Sequence, residues 1–219
     1  MKFKAIVKGA TGMVGEGVMH ECLLHPDVSE VLIINRRPSG FTHPKLKEIV
    51  HKDFQDLFPI ASQLAGYDAC FFCLGVTSIG KNEEEYTRLT HTLTMHMANI
   101  LAGDSPDMTF CYVSGSGTDS TEKGRTMWAK VKGKTENDIL KLFKNGYAFR
   151  PGFMKPTPGL KNALSGYKYL NWLFPILQKL APKFVCTLKE VGLAMIHAVT
   201  KGYEKRTLEV KDIVELAKR

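Results

Sequence analysis

Short apolar runs alternate along the chain with longer stretches whose apolar positions recur at helical spacing. Residues 3–7, 31–34, 69–74, 109–113 and 147–150 read as strands, with 48–51 a weaker one. Several of these runs are apolar at nearly every position rather than at every second one. That pattern fits parallel strands covered on both faces by helices. Helices are expected over 13–24, stopped by His25-Pro26-Asp27, over 83–101, ahead of Gly103, and over 126–143, ahead of Asn145-Gly146. Strand–helix alternation with right-handed crossovers makes an α/β fold, a doubly wound parallel sheet of Rossmann type.

Beyond Pro151 the pattern changes. Pro151, Pro156 and Pro158, with intervening glycines, make 151–166 a loop by composition. Helices follow over 167–180 and 188–200, then a short strand over 208–210 and a last helix over 212–218. The chain divides into a nucleotide-binding core, residues 1–155, and a C-terminal helical or lid region, residues 156–219, packed on the same domain.

The sharpest chemistry lies between the first strand and the first helix. Gly9-Ala10-Thr11-Gly12-Met13-Val14-Gly15 has GxxGxxG spacing. Gly9 permits a sharp turn, Gly12 lets backbone N–H groups reach a pyrophosphate, and Gly15 lets the helix pack close to the strand. The helix N-terminus then presents its positive dipole end to the anion, with Thr11, Met13 and Val14 beside it. An acid usually closes the second strand where a ribose 2′-hydroxyl is bound. Here the strand runs into Asn35-Arg36-Arg37, and paired guanidiniums suit a 2′-phosphate. NADP(H) is therefore the expected cofactor. Asp53 is expected to accept from the adenine amino group, or else to cap the next helix, and Phe54 to cover the ring. Leu74-Gly75 lets a cofactor pass over the sheet, and Pro151 stands at the same carboxyl edge.

Together these motifs resemble the atypical NAD(P)-binding members of the short-chain dehydrogenase/reductase superfamily, the group of Tat-interacting oxidoreductases and nucleoside-diphosphate-sugar epimerase-like proteins. The matching residues are GATGMVG, Asn35-Arg36-Arg37, Cys73-Leu74-Gly75, Ser114-Gly115-Ser116-Gly117, Val131-Lys132-Gly133-Lys134-Thr135-Glu136 and Phe149-Arg150-Pro151-Gly152. The resemblance implies an oxidoreductase or epimerase-like activity on a small molecule. It also implies that Ser114 and Ser116 contact substrate and that Lys132 binds the nicotinamide ribose. The superfamily's proton donor is the tyrosine of Tyr-x-x-x-Lys. Trp128 occupies that position here, and no tyrosine of the chain has a lysine four residues later. Indole does not titrate usefully, so Trp128 cannot take over the role. Two readings follow. One is an enzyme with altered proton donation, through a water held by Ser114 or Ser116. The other is a cofactor-binding sensor or regulatory protein that acts through a protein partner.

Composition narrows this only a little. The 219 residues, 44% hydrophobic and 24% charged, suit an ordinary globular domain. The net charge of +8 is spread along the chain and favours phosphate-bearing ligands, without the aromatic-rich or zinc-finger patterns of nucleic-acid binding. With no apolar leader and no long apolar run, the chain reads as cytosolic, a monomer or homodimer. Five cysteines argue against a disulfide framework. Cys70 and Cys73 have CxxC spacing, but a strand points them to opposite faces and makes them core. His91 and His96 are spaced wrongly for one helix face, so no metal is expected. The segment 167–180, rich in Trp172, Leu173, Phe174, Ile176, Leu177 and Leu180, reads as a lid, a dimer contact or, with Lys168, Lys179 and Lys183 outward, a membrane-surface element.

Overall fold

The apolar runs pair as neighbours in one parallel sheet. The computed structural model describes residues 2–162 and 174–219. Its main sheet has the order β3-β2-β1-β4-β5-β6-β9, every pair parallel. The strands are β1 (Phe3–Lys8), β2 (Val28–Asn35), β3 (Leu46–Val50), β4 (Ala69–Phe72), β5 (Thr109–Val113), β6 (Gly146–Arg150) and β9 (Thr207–Glu209). The order reverses at β1 and β4, where ligands of such sheets bind. Helices α1 (Met13–Leu24) and α4 (Met127–Leu142) connect strands as the spacing predicts.

Alternation along each strand fills two cores. Val7, Val31, Phe71 and Phe149 pack on one face with Val18 and Met195. Ile6, Leu32, Phe72 and Phe110 pack on the other with Met97 and Ile139. Cys70 and Cys73 fall on opposite faces, and the described residues contain no metal-binding cluster. None of the described helices is long and apolar enough to cross a membrane.

Several expectations need correcting. β2 begins at Val28, because Val28 pairs with Phe3, and β4 stops at Phe72. The helix expected over 83–101 is α2 (Glu83–Thr87) and α3 (Leu93–Asp104), joined by a π-helical turn, Arg88–Thr92. The stretch read as pure loop contains β7 (Phe153–Lys155), which pairs in parallel with β8 (Val185–Thr187). Such a pairing is non-local, and no local pattern announces it. Of the helix expected over 167–180, residues 163–173 lie outside the described residues, and α5 (Phe174–Leu180) is helical.

The C-terminal part enters the main core. Helix α6 (Leu188–Thr200) packs against α1 and starts with a capping box, in which Thr187 Oγ1 accepts from Glu190 N at 3.0 Å and Thr187 N donates to Glu190 Oε2 at 2.7 Å. β9 pairs with β6, one residue earlier than expected. The last helix, α7, runs Val210–Leu216 rather than from 212, because Glu209 and Asp212 form a second capping box.

Candidate functional site

The glycine turn is held by its own backbone. Gly9 has φ +91°, and Gly12 N donates to Gly9 O at 2.9 Å. A Cβ on Gly15 would lie 2.1 Å from Gly9 O, so no larger residue fits while α1 stays this close to the turn. Gly12 is the N-cap of α1, with extended backbone and no side-chain cap. The first N–H groups of the helix are therefore left for an anion. A Cβ at Gly12 would meet only Gly9 O, at 3.4 Å, which leaves open space where a pyrophosphate would approach.

On one side of the turn lies a cavity of about 780 Å³, lined by Gly9, Thr11, Arg36, Arg37, Phe54 and Leu74, all expected from the sequence, and by Lys52, which was not. Arg36 and Arg37 are exposed at the end of β2. Their loop is pinned from β3, where Glu48 Oε1 accepts from Asn35 Nδ2 at 2.7 Å and from Ser39 N at 2.9 Å. Asp53 does not line this cavity. Its Oδ1 accepts from Gln55 N at 2.8 Å in a local turn. Lys8 was missed altogether because it ends a strand. It is fully buried, its Nζ lies over the Phe54 ring, and it donates to Ile34 O at 3.3 Å. Burial lowers its pKa to about 6; the Cys70 thiol opposes that shift and Arg36 adds to it. Stacking on an aromatic face favours an ammonium by about 2 kcal/mol. Burying it without a counter-ion costs several kcal/mol, so burial wins and Lys8 is mostly an amine at neutral pH.

On the other side of the turn is a smaller cavity, about 270 Å³, lined by Gly12, Met13, Val14, Gly75, Ser114, Lys132 and Pro151, and also by Cys73 and Met154. Lys132 Nζ donates to Ser114 O, and burial lowers its pKa to about 8, with Glu136 pulling the other way. The Ser114 hydroxyl turns inward. It donates to the fully buried Glu136 and lies 3.1 Å from Phe149 O. Glu136 is held in turn by Arg150, through Nε at 2.9 Å and the terminal nitrogen at 2.5 Å. Ser116 is exposed and does not line the cavity; its backbone N donates to Pro151 O at 2.9 Å. The Trp128 ring, half-buried, lies against Gly117 in the same loop. The cysteine at position 73 has its thiol pushed up by burial.

The residues present fit a dinucleotide. Cationic side chains stand at one end, bare helix N–H groups in the middle, and a partly buried lysine at the other end. A parallel sheet of this order, with a glycine turn at its first crossover, is a Rossmann-type fold, shared with solved epimerases and with a short chain dehydrogenase family protein. Over the chain, the enzyme WbmF of Bordetella bronchiseptica, solved in complex with NAD+, aligns with TM-score 0.67 and 13% identity, covering 99% of this chain and 77% of that one. In sequence the chain is similar to the protein fmp52-1, mitochondrial, of Aspergillus oryzae, 29% identical over 153 residues, 67% of this chain and 63% of that protein. It is also similar to the protein HTATIP2 of Rattus norvegicus, 27% identical over 152 residues, 68% of this chain and 61% of that one. The resemblance to the short-chain dehydrogenase/reductase superfamily and its Tat-interacting branch is thus borne out. These matches span less than two thirds of either relative's length. No protein-family model matches the chain. Several fungal relatives are named as mitochondrial proteins, which overturns the expectation of a cytosolic one. That expectation rested on the lack of an apolar leader and of a long apolar run, whereas signals for mitochondrial import are amphipathic rather than apolar.

Proposed function

We propose that this protein binds NADP(H) across the glycine turn and carries out oxidation or reduction of a small substrate in the cavity at Lys132. The observation that carries the reading is the placing of Arg36, Arg37 and Lys52 around one cavity and Lys132 in the other, on either side of the uncapped start of α1. A bound nicotinamide supplies or accepts the hydride. The chain's residues supply binding, orientation and the proton. Arg36 and Arg37 take the 2′-phosphate, and the N–H groups of α1 take the pyrophosphate. Among the described residues lining the smaller cavity only Lys132 and Cys73 titrate, and the Cys73 thiol holds its proton too tightly to exchange it. Lys132 therefore gives its proton to the substrate oxygen as the carbon receives hydride, and is left as an amine. Ser114 cannot donate to substrate while its hydrogen serves Glu136; it holds the floor beneath Lys132 instead.

Calorimetric titration with NADPH and NADH tests the cofactor assignment. NADPH should bind at least about tenfold more tightly, and the double change Arg36→Ala/Arg37→Ala should erase the difference. Equal binding by the unaltered protein refutes it. The replacement of the superfamily's tyrosine by Trp128 favours a second reading, an NADP(H)-binding regulatory protein without turnover. Absence of NADPH oxidation with a broad carbonyl panel, despite tight binding, would select that one.

A further inference from the structure

Lys8 stands apart from the ion pairs of this protein. It is wholly buried at the carboxyl end of β1, and two groups that it contacts, Ile34 and the Phe54 ring, line the cavity of Arg36, Arg37 and Lys52. No carboxylate among the described residues pairs with it; its nearest polar partner is the carbonyl of Ile34. The groups packed on it are the Phe54 ring from the loop after β3, the Cys70 thiol from β4 and Arg36 from the end of β2. Only the last of these is charged, and its charge repels. The buried carboxylates are compensated in the chain: Glu136 pairs with Arg150, Asp212 with Lys205, and Glu16 accepts from two backbone N–H groups. A buried lysine without a counter-ion gives up its proton, and takes it back where something supplies the missing charge.

We propose that the missing counter-ion is the phosphate on the adenosine ribose of the cofactor, and that Lys8 takes up a proton when a phosphorylated dinucleotide enters the cavity and thereby selects it over the unphosphorylated one. The proposal rests on the NADP(H) reading above and adds a residue and a coupled proton to it. Arg36 and Arg37 are exposed and attract any anion that reaches them. Lys8 is itself out of contact with water, so charge that arrives in the cavity acts on it with weaker screening. A dianionic phosphate there offsets the repulsion by Arg36 and restores the ammonium to the face of Phe54. Unliganded, Lys8 titrates at about 6, so at pH 7.5 it is mostly without its proton. The ribose phosphate is already almost fully ionised at that pH, its second ionisation lying near pH 6, so it contributes little to the proton balance.

The test is isothermal titration at pH 7.5 in buffers of different ionisation enthalpy, with NADPH and NADH, on the unaltered chain and on Lys8→Met. The unaltered chain should take up a substantial fraction of a proton per NADPH and none per NADH. Lys8→Met, which fills the same space, should abolish that uptake and lower the preference for NADPH by about tenfold, with NADH affinity unchanged. A preference for NADPH with no proton uptake, unaffected by Lys8→Met, overturns the role of Lys8 and leaves the cofactor reading standing. Equal binding of the two dinucleotides overturns both. The buffer comparison on the unaltered chain decides the matter even if Lys8→Met folds poorly.

Discussion

Trp128 shows how one side chain divides binding from chemistry. It sits in the first turn of α4, four residues before Lys132, where its ring can rest on Gly117 but cannot exchange a proton. If Lys132 carries the proton, carbonyl reduction should fall as pH rises above about 8, because only the ammonium can donate. Trp128→Tyr should raise kcat for a carbonyl panel by about 10²-fold and leave the NADPH dissociation constant unchanged. A variant no faster than the unaltered protein shows that the tyrosine was not what the site lacked. Much at this scale was legible: the glycines, Arg36, Arg37, Lys132 and the substitution at 128 all stand out in the chain. Lys8, Lys52, Cys73 and Met154 were not. Lys52, Cys73 and Met154 reach a cavity, and Lys8 meets the lining of one, only because the fold brings distant parts of the chain together, and neither spacing nor residue type signals that.

At the scale of elements, β3 does more than form an edge. Glu48 faces Ile33 across the β2–β3 pair and reaches the loop that carries the arginines. Glu48→Ala removes two hydrogen bonds to that loop. NADPH affinity should fall by about tenfold with a smaller effect on NADH, measured by calorimetry. Unchanged NADPH affinity would show that the loop holds its shape without Glu48. The tail is pinned in a similar way. Glu16 on α1, almost fully buried, accepts from the backbone N–H groups of Lys161 and Asn162 at 2.8 and 2.7 Å. An acid in the first turn of a helix commonly answers the dipole; this one ties a segment some 145 residues away to the glycine turn. The helices were legible because capping residues and amphipathic spacing are local. The β7–β8 pairing and the π-turn at Arg88–Thr92 were not, since one depends on a distant partner and the other on how a helix adjusts to its neighbours.

Across the whole molecule, stability should carry the mark of Lys8. Its folded value of about 6 lies below that of a lysine in the unfolded chain, so between the two the unfolded state binds more protons. That contribution makes unfolding free energy rise with pH from about 6 to about 10. In Lys8→Met the rise should be lost, and the variant should be the more stable at pH 7, by urea denaturation at a series of pH values. A Lys8→Met curve parallel to the unaltered one would place the shift elsewhere. The sequence by itself determined the layered α/β architecture, the glycine turn, the basic end of β2 and the loss of the tyrosine, because these rest on local periodicity and on residue chemistry at fixed spacing. Only the tertiary structure decided that the C-terminal residues complete the sheet, that Ser114 serves Glu136, and that Lys8 lies without a counter-ion against the lining of the arginine cavity. Those follow from which strand ends meet, and parallel pairing is set by contacts between residues far apart in the chain.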